Sequence, residues 1–168
     1  MPELVYEPLR EEHAAELYDG LSEAAVYAYL DERRPASQDA LRRGYRALAA
    51  GPPEGSGQAW LNWAVRERST GRCVAVLQAT LDTQGELWFG YKVVPAWWGR
   101  GVATQSVRWL LAELRERFPT TPALASVDKR NVASVCVLQK CGLRLLRSER
   151  TAVNGELVEE LTYGAGEA

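Results

Sequence analysis

The sequence lacks the features that mark several large protein classes. No stretch approaches the roughly 18 consecutive apolar residues of a membrane span, and Met1-Pro2-Glu3-Leu4 is not a basic segment followed by an apolar run. The formal net charge is −2, so the chain as a whole is slightly acidic, which is unfavourable for binding nucleic acid. We therefore expect a cytoplasmic protein with neither a membrane nor a nucleic-acid partner.

Cysteine and histidine are also scarce. The three cysteines, Cys73, Cys136 and Cys141, are odd in number and lack the spacing of metal ligands, so neither a disulfide framework nor a zinc site is expected. We expect small buried thiols instead. The single histidine, His13, has no visible partner and is expected at the surface. The sequence predicts no bound metal.

The residues that are present fit one folded domain. With 168 residues, of which 46% are hydrophobic and 25% charged, the chain matches a single globular core, and we expect one domain over residues 1–168. Residues 1–32 carry nine acidic side chains and one basic one, whereas residues 100–150 carry ten basic and four acidic. This asymmetry indicates either two solvated faces, or an anionic ligand on one side and a cationic ligand on the other.

The hydrophobic periodicity predicts a mixed sheet with helices on both faces. Period-two patterns predict strands and helical spacing predicts helices, at the following positions: strands 4–9, 60–67, 73–81, 87–94, 123–127, 143–150 and 157–163; helices 11–21, 37–50, 101–118 and 131–141. Pro8 predicts an edge position for the first strand. The strand at 87–94, the helix from 101 and the strand at 123–127 predict a central βαβ crossover. The expected class is α/β (α+β), with a mostly antiparallel sheet of about seven strands.

The turn between the strand at 87–94 and the helix from 101 has the chemistry of an anion site. Gly99-x-Gly101-x-Ala103 at a helix start leaves backbone N–H groups free at the positive end of the helix dipole. The glycines allow a phosphate to approach the backbone, and Arg100 adds positive charge. Two glycines that simply form a tight turn are the alternative. A Rossmann fingerprint and a P-loop are both excluded, because the third glycine and the Gly-Lys-Ser/Thr are missing.

Two motifs together resemble the GNAT superfamily of N-acetyltransferases. Gly90-Tyr91-x-Val93-x-Pro95-x-x-Trp98-Gly99-Arg100-Gly101-x-Ala103-Thr104 is similar to the coenzyme A motif of that family, and Asn131-x-x-Ser134-x-x-Val137-Leu138-Gln139-Lys140-Cys141-Gly142-Leu143 follows at the family's distance. The element order extends the resemblance over nearly the whole chain. The chain resembles most the branch that acetylates ribosomal-protein N-termini. The resemblance implies a single-domain GNAT fold, acetyl-coenzyme A as co-substrate, and direct acetylation of a primary amine of a peptide N-terminus or a small molecule.

The resemblance also implies which residues bind the co-substrate. Backbone N–H groups from the turn at Gly99 onward would hold the pyrophosphate. The pantetheine would lie between the strands at 87–94 and 123–127, where unpaired N–H groups at Val93 or Val94 would polarise the thioester carbonyl. The complete implied set is Val93, Val94, Trp98, Gly99, Arg100, Gly101, Val102, Ala103, Thr104, Asn131 and Ser134.

The general base is not given by the family pattern. Many members have a glutamate in the strand before Gly-Tyr, but this chain has Trp88 there. Glu86, two residues earlier and on the same strand face, is the first candidate for the base, unless it is a solvated carboxylate at the strand end. Glu160, Asp31 and Glu32 are weaker alternatives.

The general acid departs from the pattern as well, because the usual tyrosine of the second motif is Leu138 here. Ser134, one helical turn after Asn131, could hydrogen-bond the sulfur. Asn131 could equally be an ordinary helix N-cap.

The acceptor has one candidate recognition element, an aromatic box. Tyr27, Tyr29 and Trp88 could surround a cationic amine. Because the family's catalytic glutamate and tyrosine are absent, two alternative functions remain. One is an acyl-coenzyme A-binding module without turnover, and the other is a scaffold that only keeps the fold. Monomer and homodimer are equally compatible with the sequence.

Overall fold

The computed structural model describes residues 1–165, within which seven strands and four α-helices form one mixed sheet with its helices. The strands are β1 (Leu4–Pro8), β2 (Ala59–Glu67), β3 (Cys73–Leu81), β4 (Leu87–Val93), β5 (Ala123–Asp128), β6 (Arg144–Val153) and β7 (Glu156–Gly164). The helices are α1 (His13–Leu21), α2 (Gln38–Ala50), α3 (Val102–Arg117) and α4 (Val132–Lys140), with short 3-10 helices at Ala24–Tyr27 and Pro95–Trp97. The predicted domain, residues 1–168, includes residues 166–168, which lie outside the described part of the chain.

The sheet has the strand order β1-β2-β3-β4-β5-β7-β6. Neighbouring strands are antiparallel except β4 and β5, which are parallel and joined through α3. The mixed, mostly antiparallel sheet and the βαβ crossover predicted from the periodicity are confirmed. β1 lies at one edge, as Pro8 predicts, because proline cannot donate to a second neighbouring strand.

The two faces of the sheet carry different helices. Trp63 and Val65 of β2 belong to a core that includes Leu110 of α3 and Leu138 of α4. Ala64, between them, belongs to a second core formed with α1 and α2. Because successive side chains of a strand point to opposite faces, α3 and α4 cover one face and α1 and α2 the other. None of the helices within residues 1–165 is long and apolar enough to cross a membrane.

The parallel pair β4–β5 is short, and this shapes the molecule's main opening. Only Leu87 pairs with Ala123, and Trp88 with Leu124. β4 continues to Val93 and β5 to Asp128. The carboxyl-terminal halves of the two strands are therefore not paired with each other. The two strands therefore diverge and leave a gap in the middle of the sheet.

His13 is buried rather than at the surface. It is 2% exposed, its Nε2 lies 2.8 Å from Oε1 of Glu7, and its Nδ1 accepts the N–H of Arg10 at 2.9 Å. The expectation failed because Glu7, on β1, comes beside His13 only when the chain folds back at the start of α1. Both ring nitrogens thus have protein partners. Of the three thiols, Cys73 is buried, Cys141 is half-buried and Cys136 is exposed, so the prediction of buried thiols is right for Cys73 alone.

Much of the acidic charge of residues 1–32 is neutralised within the fold. Glu7 and Glu16 both bind the guanidinium of Arg66 at 2.8 Å. Glu11 binds two arginines of α2, Arg42 at 2.9 Å and Arg46 at 2.6 Å. These carboxylates tie α1 to α2 and to the sheet, and only part of the N-terminal acidity remains for a ligand.

Glu67, at the end of β2, gives a prediction about stability in acid. Its carboxylate accepts hydrogen bonds from the N–H groups of Ser69 at 3.0 Å and Thr70 at 2.8 Å, and from both hydroxyls. These bonds lower the pKa of Glu67 from 4.5 to about 2. Since the folded pKa is below the unfolded one, the carboxylate stabilises the fold above about pH 4.5, and this contribution is lost as the pH falls toward 2.

We therefore expect Glu67→Gln to lower the free energy of unfolding near neutral pH, and the difference from wild type to shrink in acid. Urea titrations at about pH 7 and about pH 3 measure it. Glu54→Gln removes an exposed carboxylate in the loop before β2 and is the charge-matched control. A Glu67→Gln deficit that is equal at both pH values would contradict the linkage.

Candidate active site

A cavity of about 900 Å³ passes through the gap between β4 and β5. Its walls come from the segment between α1 and α2, the middle of β3, the carboxyl-terminal halves of β4 and β5, the first turn of α3, one side of α4, and β7. The lining residues used below are Tyr29, Asp31, Glu32, Tyr91, Lys92, Val93, Trp98, Gly99, Gly101, Val102, Ala103, Thr104, Ser126, Asp128, Asn131, Ser134 and Glu160. Most of the predicted co-substrate residues therefore line the same continuous space as Tyr29, the one predicted acceptor residue found there.

One end of the cavity is the turn that enters α3. Gly99 and Gly101 have φ of +71° and +79°, in the left-handed region that favours glycine. The N–H of Gln105 donates to the carbonyl of Gly101 at 3.0 Å, while no backbone partner within residues 1–165 accepts from the N–H groups of Val102–Thr104. The free N–H groups lie at the positive end of the helix dipole, which is the arrangement that the predicted anion site requires. Arg100 projects beside it, with its guanidinium carbon 4.8 Å from the centroid of the Trp97 ring.

Trp98 links this turn to the end of β4. Its indole N–H donates to the carbonyl of Val93 at 2.7 Å, while the side chain remains 49% exposed. This hydrogen bond satisfies a carbonyl that would otherwise face the gap, and it holds the glycine turn against the strand.

The two predicted oxyanion donors have different environments. The N–H of Val94 donates to the carbonyl of Val74 at 2.9 Å, so Val94 is not an unpaired donor, and that prediction was wrong. Its side chain packs on Gly20 of α1, where a Cβ would lie 2.4 Å from Val94 Cγ1. Because the direction of hydrogen bonding alternates along an antiparallel strand, the N–H of Val93 points away from β3, into the gap. For Val93 the oxyanion role stays a prediction.

Tyr91 and Ser134 meet inside the cavity. Their hydroxyl oxygens lie 2.6 Å apart, and either can be the donor. Burial is the main cause that raises the pKa of Tyr91 to about 12, so its phenol stays protonated at neutral pH and can donate. Sequence reasoning missed Tyr91, although its alternation with Phe89 and Val93 on β4 places all three on the face that carries α4.

Asn131 is the N-cap of α4. Its side-chain oxygen accepts the N–H of Ser134 at 3.2 Å, as the alternative interpretation held. This bond directs the first turn of α4, and with it the Ser134 hydroxyl, toward Tyr91. Asn131 therefore positions Ser134, and nothing in its contacts supports a catalytic role of its own.

The opposite end of the cavity is acidic. Two of its carboxylates come from the segment between α1 and α2. Glu32 binds the ammonium of Lys92 at 2.5 Å, and Asp31 accepts the N–H of Asn154, in the β6–β7 turn, at 3.3 Å. Both carboxylates have protein donors, so neither is an unoccupied base.

Two further carboxylates come from the sheet, where Asp128 of β5 lies opposite Glu160 of β7. Asp128 is buried and binds the Arg130 guanidinium at 2.8 Å, which lowers the pKa of Asp128. Glu160 accepts a hydrogen bond from the Ser126 hydroxyl and has no cationic partner within residues 1–165. Of the four carboxylates, Asp31 and Glu160 thus have only neutral donors within residues 1–165, and the donor to Glu160 is a side-chain hydroxyl that can turn away. Asp128 was missed from the sequence, although a charged residue at the end of an apolar strand was a usable signal.

Glu86 and Trp88, the first candidate base and a wall of the predicted aromatic box, do not reach the cavity. Glu86 precedes β4, at the end where β4 and β5 are still paired, and its carboxylate accepts the indole N–H of Trp88 at 3.2 Å. At about 3.3 Å per residue, Glu86 lies roughly 17 Å along the strand from Tyr91. Glu86 does share a strand face with Trp88, as predicted, but both lie at the end of β4 that is away from the cavity.

The predicted aromatic box is not formed. Tyr29 lines the cavity, whereas Tyr27 lines a second and smaller one. Each ring already has a cation from the chain itself, because Lys92 Nζ lies 5.8 Å from the centroid of Tyr27 and Arg130 Cζ lies 5.6 Å from that of Tyr29. The two tyrosine rings therefore contribute shape and packing to the site, and they do not form a box around a cationic amine.

A family model described as an acetyltransferase (GNAT) domain matches residues 3–144. No curated protein matches the chain in sequence.

Solved structures match nearly the full chain at low identity. An acetyltransferase from Salmonella typhimurium, which modifies the N-terminal serine of ribosomal protein L7/L12, has a TM-score of 0.81 and 17% identity, over 98% of this chain and 95% of the other. A spermidine N-acetyltransferase from Vibrio cholerae, in complex with CoA and spermine, has a TM-score of 0.77 and 13% identity, over 96% of this chain and 94% of the other. A GNAT-family acetyltransferase from Bacillus anthracis has a TM-score of 0.80 and 15% identity, over 98% of this chain and 95% of the other. At these identities the similarity shows the fold.

Proposed function

The chain belongs to the GNAT acetyltransferase family, and we propose that it transfers the acetyl group of acetyl-coenzyme A directly to a primary amine across the β4–β5 gap. The observation that carries the proposal is one cavity with an anion site at one end and carboxylates at the other. A basic turn with free N–H groups fits a pyrophosphate, and an acidic opening fits an amine in its cationic form. The transfer would take place between them, beside Tyr91, Ser134 and Val93.

The chain has the groups that acetyl-coenzyme A requires. The N–H groups from Gly99 to Thr104 would hold the pyrophosphate, with Arg100 beside it. The gap left by the diverging strands would hold the pantetheine arm, between residues of β4 and β5. Acetyl-coenzyme A supplies an activated thioester when bound.

Val93 would stabilise the charge that develops on the carbonyl oxygen. Its N–H is fixed by the sheet and points into the gap, so it needs no reorganisation as the charge forms. The Trp98 indole occupies the neighbouring carbonyl of the same residue, which removes a competing negative dipole from the gap.

Glu160 would be the general base. An alkyl amine has a pKa of about 10.4 and is mostly protonated at neutral pH, so one proton must leave before the nitrogen attacks. Glu160 lines the cavity, and among the described residues only the Ser126 hydroxyl is its partner. Its carboxylate would take this proton, directly or through one water, and leave the neutral amine to form the C–N bond.

The Ser134–Tyr91 pair would serve the departing sulfur. As the C–S bond breaks, the Ser134 hydroxyl would hydrogen-bond to the departing thiolate while Tyr91 donates to Ser134, so that the pair acts as one relay. The second amine proton, which the nitrogen loses as the amide forms, would balance the proton that ends on the sulfur. A module that binds acyl-coenzyme A without turnover would need neither this pair nor a carboxylate without a cationic partner at Glu160. Peptide N-termini and small amines both match the acidic opening.

Thiol release from acetyl-coenzyme A tests the function and the relay together. Wild type should release free thiol only when an amine is present. Tyr91→Phe and Ser134→Ala should each lower kcat about tenfold, and the double variant should be little worse than either single one, because both break one relay.

Leu87→Val, which changes a buried residue on the same face of β4 outside the cavity, is the packing control and should keep kcat near wild type. Additive losses in the double variant would contradict a shared relay. Binding of acetyl-coenzyme A without amine-dependent thiol release in wild type would contradict the enzymatic function itself.

A further inference from the structure

A second cavity of about 220 Å³ lies between α2 and the sheet, next to the active-site cavity. Its lining is mostly apolar and includes Leu9, Leu21, Leu41, Leu48, Val76 and Leu77. The two cavities share four residues, Glu32, Val76, Gln78 and Lys92. A cavity of this size is smaller than a typical small-molecule site, so it fits one arm of a ligand whose remainder lies in the larger cavity.

Two tyrosine hydroxyls line this space without a hydrogen-bond partner among residues 1–165. Tyr45 is 6% exposed, and burial together with the nearby Tyr27 and Glu32 raises its pKa. Burial and Glu32 raise the pKa of Tyr27 to about 12. Both phenols are therefore protonated, and both would gain from a ligand group that offers an acceptor or a π-face.

Gly44 on α2 lies at the exposed mouth of this space. A Cβ at this position would meet no atom within 4 Å, so a larger side chain there can cover the opening. Glycine in a helix interior is unfavourable relative to alanine, and the α2 backbone does not need glycine here, because the φ of Gly44 is not positive. The missing side chain leaves room beside Leu41 and Tyr45.

Lys92 forms the boundary between the two cavities. Its ammonium binds Glu32 at 2.5 Å, and its residue lies opposite Val76 across the β3–β4 pair. The aliphatic stem of a lysine can pack along an apolar group while its charged end stays in place. Since adjacent strands are about 4.8 Å apart, the path from the β4–β5 gap to the space over β3 is roughly 5–10 Å.

We propose that the second cavity binds an apolar arm of the acceptor, which makes this enzyme selective for primary amines that carry an aromatic ring. The path length sets a linker of roughly two or three carbons between nitrogen and arm. The inference rests on the proposed function, because it requires the amine to sit in the β4–β5 gap beside Glu160.

Steady-state kinetics with 2-phenylethylamine and ethylamine test the selectivity. In wild type, KM for 2-phenylethylamine should be lower than for ethylamine by about tenfold or more. Gly44→Leu should remove most of this advantage by raising KM for 2-phenylethylamine, with kcat and the ethylamine values unchanged. Gly44→Ala, whose methyl group fits the open space, is the control and should behave like wild type. Equal KM values for the two amines in wild type, or equal effects of Gly44→Leu on both, would overturn the proposal.

A binding measurement separates this proposal from the proposed function. Ligand-observed NMR with 2-phenylethanol, which has the arm but no amine, should detect binding to wild type and to Gly44→Ala, and none to Gly44→Leu. If no amine is acetylated while this pattern holds, the proposed function fails and the arm cavity stands. If amines are acetylated but 2-phenylethanol binds all three proteins equally, or none of them, the arm cavity is refuted.

Discussion

Replacing Glu160 by glutamine should lower kcat/KM for amine acetylation about 10²–10³-fold, the contribution of a positioned general base, and leave the affinity for acetyl-coenzyme A unchanged. The amide keeps the shape and the contact with Ser126 but cannot take a proton. The loss should shrink at high pH, where more of the amine is already neutral. Thiol release measured from about pH 7 to about pH 10 reports this convergence with wild type.

Glu149→Gln is the matched control. Glu149 lies opposite Glu160 in the β6–β7 pair but is exposed and outside the cavity, so its loss should leave kcat/KM unchanged. A constant deficit of Glu160→Gln across the whole pH range would indicate a structural role. An undiminished kcat/KM would exclude Glu160 as the base and return attention to Asp31 or to water alone.

Replacing Gly101 by alanine should raise the dissociation constant for acetyl-coenzyme A about 10–100-fold, as expected when several charge-assisted hydrogen bonds are misplaced. Gly101 has φ of +79°, and its Cβ would lie 2.9 Å from Met1 Sδ. A left-handed conformation costs an L-residue about 1–2 kcal/mol, so the backbone should shift and move the free N–H groups of α3 away from the anion site.

Gly85→Ala provides the control for strain alone. Gly85, in the β3–β4 turn, also has φ of +79°, but a Cβ there would meet nothing within 4 Å, and it is outside the cavity. Both variants should lower Tm by similar amounts, whereas only Gly101→Ala should weaken binding in isothermal titration calorimetry. Equal affinities for acetyl-coenzyme A in the two variants would show that the turn at Gly101 does not bind the pyrophosphate.

Those parts of the fold that depend on local chemistry were predictable. Ser37 accepts the N–H of Ala40 as an N-cap, and Pro8 lies on an edge strand. Asn154 and Gly155 both have positive φ in the β6–β7 turn, the conformation that an Asn-Gly pair between two strands favours. In each case the residues that decide the structure are neighbours in sequence, so the pattern contains the whole interaction.

The co-substrate end of the cavity was predictable for the same reason. The residues from Trp98 to Thr104 form one continuous turn, and their backbone N–H groups need only a helix start to become free. The errors concern groups whose partners are distant. The N–H of Val94 donates to the carbonyl of Val74 across the β3–β4 pair, and the buried His13 ring hydrogen-bonds with Glu7.

By itself, the sequence determined the order of strands and helices, the glycine turn at the start of α3 and the membership of the family, because periodicity, capping and turn chemistry act over a few residues. Only the tertiary structure decided which groups share the cavity. Tyr91 and Ser134 are 43 residues apart, and their hydroxyls lie 2.6 Å from each other. Of the candidate carboxylates, Glu160 lines the gap while Glu86 lies at the closed end of the sheet. The reason is physical: a catalytic group acts through distance and exposure, and strand register and the divergence of β4 from β5 set both.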